Sequence, residues 1–281
     1  MKNPKVLIVI VNYNSTEDLL QLISSIGNSS YKTYDIVVID NNSSEYIEKL
    51  RNLKLKLIEN KENIGFTKAI NHALKNFKYE YYWLLNPDTI VNKNTLTELI
   101  STAEKYNAGF VGSAIYDYNT NKIYAMAGKR NFFTGLAFTI KDINEIRELN
   151  GKTEYADACS LLISRKVIEQ VGYFDENYFM YLETEDFMLR AKKQGFKIYV
   201  NPKAIVYHKM YGSSKGKKSK RTVYLLNKNR IYFMRKFSPK TRFYVFLVIN
   251  FLVIFPFQIL VYLIKGRFSL IPALIRGNFS L

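Results

Sequence analysis

Short apolar runs that each end in a polar residue, with helix-like spacing between them, constrain this chain more than any other feature. Val6–Val11, Ile36–Ile39, Leu53–Ile58, Tyr81–Leu85 and Gly109–Ile115 are such runs. Unbroken β-branched and aromatic stretches read as strands buried on both faces, as parallel strands are. Ser15-Thr-Glu-Asp18 opens a helix in the manner of a capping box, and Leu19, Leu22, Ile23 and Ile26 follow at helical spacing. Thr67–Phe77 and Asn94–Tyr106 read as further helices. The alternation predicts an α/β fold with right-handed crossovers and a mostly parallel sheet. Ligands of such sheets bind beyond the carboxyl ends of the strands. Asn12, Asp40 and Asp88 all stand at those ends, so three separate stretches should meet in one crevice.

Beyond residue 115 the pattern loosens. Tyr116–Ala125 suggests a hairpin around Asn119-Thr-Asn121, and residues 128–153 give no clear pattern. Ser164–Gln170 and Thr184–Gln194 read as helices, Phe196–Val200 and Ala204–Tyr207 as short strands, and Lys215–Arg221 as a basic loop. Met1-Lys-Asn-Pro runs so directly into a strand pattern that no signal peptide is expected. One cysteine, Cys159, leaves no intramolecular disulfide framework.

Charge is distributed unevenly. The net charge is +17, yet the last acidic residue is Asp186, and residues 187–281 hold 20 Lys and Arg with no acid. A near-neutral body thus carries a cationic tail. That tail runs into Phe243–Ile264, an uncharged stretch interrupted only by Asn250, Pro256 and Gln258. As a helix it would be about 33 Å long, enough for a bilayer core. Cations on both flanks give no orientation, and Pro256 can break it near the middle. Membrane association is expected, as a span or as a bent, re-entrant or interfacial anchor, the alternative being a buried helix of a soluble protein. A nucleic-acid partner is not expected, because the basic footprint leads into a hydrophobic segment and no nucleic-acid motif appears.

Four stretches carry candidate chemistry. Asp40 can accept from a base N–H or a ribose hydroxyl, or it can make an Asx turn with the following Asn-Asn-Ser-Ser. Asn86-Pro87-Asp88 puts a carboxylate on a rigid turn, suited to Mg²⁺ or Mn²⁺ held together with substrate phosphates, or else is an ordinary turn. His208, at a strand end, can complete a metal shell with Asp88 or be a structural histidine. Glu183 and Asp186 share one face of a helix start, with Arg190 one turn on. One of the two carboxylates could be a general base while the other binds Arg190 or the acceptor; acids also simply favour a helix N-terminus.

In this order the residues resemble inverting family-2 glycosyltransferases of the GT-A fold, nearest to rhamnosyltransferase-like members. The matching pieces are Val9-Ile-Val-Asn-Tyr-Asn14, Val38-Ile-Asp-Asn-Asn-Ser-Ser44, Asn63-Ile-Gly-Phe66, Leu84-Leu-Asn-Pro-Asp88, Gly172-Tyr-Phe-Asp-Glu176, Tyr181-Leu-Glu183 with Asp186 and Arg190, Gly195, and Tyr207-His208. The resemblance covers roughly residues 4–235. It implies a Rossmann-like, mostly parallel sheet flanked by helices, with a nucleotide-sugar half over about 1–115 and an acceptor half over about 116–235. Residues 236–281 would be a hydrophobic, membrane-associated helical tail. It implies that Asn12, Tyr13, Asn14, Asp40, Asn63, Lys68, Asn86 and Asp88 serve the nucleotide sugar. Asp157, Tyr181 and Arg190 would face the acceptor, and Asp88 and His208 would hold the metal.

One departure stands out. Many relatives read Glu-Asp-x-Asp where this chain has Glu183-Thr-Glu-Asp186, so a threonine occupies the usual position of the base. Either Glu183, Glu185 or Asp186 acts instead, with Asp186 and Glu183 favoured, or the acceptor is already a nucleophile, or the chain is inactive. The expected activity is metal-dependent, inverting hexosyl or rhamnosyl transfer from a nucleoside-diphosphate sugar to a lipid-linked or other glycan acceptor, at the cytoplasmic face of the membrane. The alternatives are transfer to a polyprenyl phosphate and a non-catalytic membrane partner of another glycosyltransferase.

Overall fold

The computed structural model describes residues 3–44, 47–149, 151–209 and 219–280. Its first half follows the sequence pattern closely: β1 (Val6–Asn12), α1 (Thr16–Gly27), β2 (Tyr34–Asp40), α2 (Glu48–Arg51), β3 (Lys56–Glu59), α3 (Phe66–Asn76), β4 (Tyr81–Leu85), β5 (Thr89–Val91) and α4 (Thr95–Tyr106). The second half contains β6 (Phe110–Asp117), β7 (Ile123–Ala125), β8 (Ala127–Arg130), β9 (Ala137–Ile140), α5 (Ile143–Leu149), β10 (Tyr155–Ala156), β11 (Ser160–Ser164), α6 (Arg165–Val171), α7 (Glu183–Lys193) and β12 (Ile198–His208). The tail is built from α8 (Lys220–Phe237), α9 (Lys240–Ile249), a π turn (Asn250–Ile254), α10 (Phe255–Ile264) and α11 (Ile271–Phe279).

The main sheet runs β3-β2-β1-β4-β11-β6-β12-β5, with β7 beside β6. All seven residues of β1 are buried, as its uninterrupted apolar run requires. Alternate side chains feed two cores. Val6, Ile8 and Ile10 join α1 and α4 on one face, and Leu7, Val9 and Val11 join α3 and α7 on the other. The register pairs Asn12 with Asp40, so the loops after β1 and β2 leave the sheet at the same level.

The parallel, Rossmann-like half is as expected, but the whole sheet is mixed. β11 lies antiparallel to both β4 and β6, and β5 is antiparallel to β12. Neither β5 nor β11 was expected, because each is only three to five residues long and adjoins a turn. The two short strands read in 196–207 are one strand, bulged between Asn201 and Ile205 around Pro202, which explains the apparent gap. The 116–125 hairpin is present. Residues 127–156 supply a second sheet, β10-β8-β9.

Tail geometry differs from expectation at Pro256. The helix does not break there; it widens into the π turn, in which the Phe255 N–H reaches the Asn250 carbonyl. Pro256 has no N–H to give the ordinary ladder, and a widened turn absorbs that loss. The anticipated boundary near residue 235 falls in the last turn of α8. Residues 215–218 of the basic loop lie outside the described residues, and Ser219 caps α8 by accepting from the Thr222 N–H at 3.0 Å.

Candidate active site

A cleft of about 290 Å³ opens at the carboxyl ends of the parallel strands. Tyr13, Asn41, Asn63, Asn86, Asp88, Tyr181 and His208 are among its lining residues. Its floor is a web of short hydrogen bonds. Asp40 is buried, and its carboxylate accepts from Asn12 Nδ2 (2.8 Å), Ser43 Oγ (2.6 Å) and the Ser43 N–H (2.9 Å). The Asx turn is therefore realised, and Asp40 fixes the strand ends rather than lining the cleft. Asn14 takes a left-handed conformation (φ 52°), donates its N–H to Ser43 and accepts from the Ser44 N–H at 2.8 Å. Ser15 makes no cap at α1, and Asp18 pairs with Lys209 at 2.8 Å instead of reaching back.

Asn63-Ile-Gly-Phe66 has a steric explanation. Gly65 has φ +88°, and a Cβ there would lie 2.7 Å from the Phe179 ring and carbonyl. That close approach lets the Phe66 N–H donate to the Phe179 carbonyl at 2.8 Å, which ties α3 to the 174–182 segment. Asn63 Oδ1 caps the same turn by accepting from the Gly65 N–H. Lys68 is exposed on α3, with its field on Glu176, and is not among the cleft-lining residues.

Asp88 and His208 meet across β5 and β12, with Asp88 Oδ1 and His208 Nε2 separated by 3.2 Å. Burial alone would lower the imidazole pKa. The hydrogen bond His208 donates to Asp88 and the fields of Asp88, Asp157 and Asp117 outweigh it and raise His208 above its usual value. Its buried Nδ1 has no partner among the described residues. Asp157, half-buried, accepts from the Cys159 N–H at 2.9 Å, and burial pushes its carboxyl up. Among the described residues no three His, Cys, Asp or Glu side chains form a metal cage. A two-residue donor set still fits Mg²⁺ or Mn²⁺, which keep waters and take substrate phosphates as ligands. Cis ligands of a six-coordinate ion at about 2.1 Å stand about 3 Å apart, close to the separation observed here.

The far wall of the cleft is strained. Tyr181 (φ 76°) and Leu182 (φ 68°) are consecutive left-handed residues without being glycine. Asn229 of α8, itself buried, donates both Nδ2 hydrogens to this turn, to the Met180 carbonyl at 2.8 Å and the Tyr181 carbonyl at 3.0 Å. Glu183 follows at the start of α7. It is buried, one oxygen accepts from the Thr184 hydroxyl, and Oε2 has no partner among the described residues. Burial pushes its carboxyl up to about 7, against the lowering effect of its own backbone N–H and of Thr184.

The other two acids of the motif are committed elsewhere. Asp186 is fully buried and accepts from Arg190 (2.7 Å), Lys236 (2.6 Å) and Tyr178 (3.1 Å). Glu185 forms a bidentate pair with Arg130, both contacts at 2.7 Å. Glu183 and Asp186 share a helix face but not an environment. The contributions of Asn229 and Lys236 escaped the sequence reading because α8 was not recognised as a helix; Asn229 and Lys236 at seven-residue spacing were the available signal.

With this geometry in hand, the relatives become informative. A model of the family described as glycosyl transferase family 2 matches residues 7–172. The chain belongs to that family. It is 28% identical over 202 residues to the low-salt glycan biosynthesis hexosyltransferase Agl10 of Haloferax volcanii, covering 68% of this chain and 62% of that one. The chain thus spans about three fifths of that curated relative. The N-acetylglucosaminyl-diphospho-decaprenol L-rhamnosyltransferase of Mycobacterium tuberculosis is 22% identical over 238 residues, 74% of this chain and 77% of the relative. Among solved structures, the mannosyltransferase PcManGT of Pyrobaculum calidifontis, in complex with GDP-Man and Mn²⁺, superposes with a TM-score of 0.63 at 13% identity. It covers 99% of this family-2 chain and 86% of PcManGT. GalNAc-T7 with UDP, GalNAc and Mn²⁺ gives 0.61 at 16% identity, over 80% of this chain and 48% of GalNAc-T7. The fold is GT-A.

Proposed function

We propose that this family-2 glycosyltransferase moves a sugar, with inversion, from a nucleoside-diphosphate sugar to the hydroxyl of a lipid-linked glycan, working from the cytoplasmic side of a membrane. The observation that carries this reading is Glu183: a buried carboxyl two residues beyond the cleft-lining Tyr181, with Oε2 unpartnered among the described residues and burial pushing its pKa up to about 7. A base tuned close to the operating pH can take a proton from an acceptor hydroxyl as it attacks the anomeric carbon from the face opposite the departing diphosphate. Such a base supplies what Thr184 lacks and favours a hydroxyl acceptor over a phosphate.

The other residues have supporting roles. Asp88 and His208 would hold Mg²⁺ or Mn²⁺, which when bound would neutralise charge on the diphosphate. Tyr13, Asn63 and Asn86 would receive the nucleotide sugar, and Asn12, Asn14 and Asp40 would keep the strand ends in register beneath it. Lys68 would act on the nucleotide only as a distant cation. Tyr181 and Asp157 would border the acceptor, with Arg190 holding Asp186 in place. The relatives acting on a diphospho-decaprenol acceptor and in glycan biosynthesis support this substrate class.

Single-turnover transfer with a panel of nucleotide sugars and a prenyl-diphosphate-linked sugar tests the reading. Turnover with Mn²⁺, with the anomeric configuration inverted by NMR, is expected. Equal rates for Glu183→Gln and wild type would remove Glu183 as base, and rapid transfer to a bare polyprenyl phosphate would move the proposal to that acceptor.

A further inference from the structure

The apolar helix made by α9, the π turn and α10 covers Lys240–Ile264, and only 6% of its most apolar 18-residue window is buried. Its 25 residues would reach about 37 Å, so length alone permits a crossing. Three features of the fold oppose one. Exposure is one-sided: Phe246 and Asn250 are fully buried against the body, whereas Val248, Leu252, Phe257, Leu260 and Ile264 face outward, Leu252 and Ile264 by about three quarters.

The helix is also packed, through α9 directly and through α11, onto α8. Phe243, Phe246 and Leu247 of α9 pack with Ile231, Phe233 and Met234 towards the C-terminal end of α8, and Phe255, Ile259 and Tyr262 of α10 pack against the cluster that Val223 of α8 forms with Leu270 and Leu274, α11 lying between. α8 carries six Lys and Arg and no acid, and Lys236 bolts it to Asp186 of α7. A crossing helix would have to draw that cationic companion into hydrocarbon, where each charge is costly. Finally, the helix midpoint is a polar junction. Asn250 Oδ1 accepts from Arg230 Nη2 at 2.5 Å, and Asn250 Nδ2 donates to Asn278 at 3.0 Å, all of it buried. In a crossing helix this junction would sit at the bilayer centre; in a helix lying flat it is inside the protein.

We infer that Lys240–Ile264 is an in-plane docking surface for an anionic lipid bilayer, its outward stripe entering the headgroup–acyl boundary without crossing. Charge selects the occupant. Lys240 and Arg242 close one end of the stripe, Lys265 and Arg267 the other, and no acid follows Asp186. Anionic headgroups complement that arrangement, whereas a second copy laid face to face would set cation against cation.

The stripe continues onto the catalytic body. Arg242 sits over the Phe133 ring at 5.0 Å, and Gly135 leaves room for the Phe246 ring, which a Cβ would approach to 2.8 Å. Phe133 of the β8–β9 connection and Phe138 of β9 are exposed, and Arg130 at the end of β8 holds Glu185 of α7. Docking therefore brings the α7 side of the cleft next to lipid, whatever the acceptor proves to be.

The test uses the full-length protein. Flotation on vesicles of phosphatidylglycerol and phosphatidylcholine should exceed that on phosphatidylcholine alone by at least about tenfold, and Leu252→Glu with Leu260→Glu should abolish it while GDP or UDP binding persists. Topology is read separately with single cysteines introduced at exposed Thr241 and Ser269, since native Cys159 is buried. In inverted membrane vesicles of expressing cells, an impermeant maleimide should label both positions from the same side. Labelling from opposite sides would establish a span and overturn the inference. A wild-type protein that ignores anionic vesicles, or occupies the stripe in a stable soluble dimer, would overturn it as well.

Discussion

The two walls of the cleft are built on different principles. The strand-end wall, the Asn86-Pro87-Asp88 turn with Asn12, Asp40 and Ser43 fixing the strand ends beneath it, is set by a sheet whose register and hydrogen bonds lie within one layer. The opposite wall, Met180 and Tyr181, is a left-handed turn leading into Glu183, braced from outside by Asn229 of α8, with Lys236 of α8 holding Asp186 one turn further on. A wall that is its own scaffold should tolerate changes far away. A wall held by another element should feel whatever moves that element, and α8 also carries α9 directly and α10 through α11.

The largest effect expected is on the self-supporting wall. Asp88→Ala should lower Mn²⁺-dependent transfer by about a thousandfold or more, because a donor set of two loses one member and the diphosphate its counter-charge. Calorimetry with GDP or UDP should show Mn²⁺-dependent affinity collapsing, with the metal-free affinity little changed. A fold left intact by circular dichroism would confirm that the loss is local.

Glu183→Gln comes next. Loss of a general base lowers turnover by about 10²–10⁴, with donor affinity unchanged. The pH profile carries the sign. Wild-type turnover should rise with pH through about 7, as Glu183 ionises, and then level off; the Gln variant should lose that limb. Stability runs the other way. Because the folded pKa is raised from 4.5 to about 7, the folded state binds the extra proton in that window, so stability should fall as pH climbs across it. Thermal melts of the Gln variant should lack that slope.

The externally braced wall is tested by Asn229→Ala, which leaves the Met180 and Tyr181 carbonyls without their donor. A lost buried partner costs about 1–3 kcal/mol, and transfer should fall about tenfold while donor affinity holds. Adding Leu182→Gly supplies a residue that adopts the left-handed conformation freely. It should recover much of the rate but not the stability, since the Leu182 side chain packs beside Phe246 and Met234. If rate and stability recovered together, or neither did, Asn229 would be acting through general packing rather than through the turn.

The same division marks what could be read in advance. The self-supporting wall follows from local signals: an apolar run makes a strand, its terminal polar residue marks the crevice, and Asn12, Asp40 and Asp88 are placed correctly by counting strands. Gly65 and Asn63 needed only a motif. The braced wall depends on contacts from residues about 50 positions away in sequence, Lys236 to Asp186 and Asn229 to Tyr181. Periodicity does not report such contacts, so Asp186 and Glu183 could not be separated by spacing alone. β11 was hidden for a related reason: five residues antiparallel between two parallel halves carry no crossover helix to announce them.

Lys236 gives the finest cut between the two walls. Its Nζ lies 2.6 Å from both Asp175 and Asp186, and these bonds, against the opposing effect of burial, raise its pKa. Lys236→Met keeps the packing length but removes both bonds. Asp186 would retain Arg190 and Tyr178, and Asp175 would retain the Tyr232 hydroxyl, so neither carboxylate is stranded. The ammonium is also partly exposed, which screens it. The loss should therefore be about 1 kcal/mol in stability, with transfer reduced about threefold or less. The informative readout is the comparison with Asn229→Ala under rising salt. Salt should weaken wild type towards the Lys236 variant and leave the Asn229 variant's deficit unchanged, because its lost contacts are neutral. Should salt erase both deficits alike, the turn is held by charge, and the distinction between an electrostatic tether and a geometric brace does not survive.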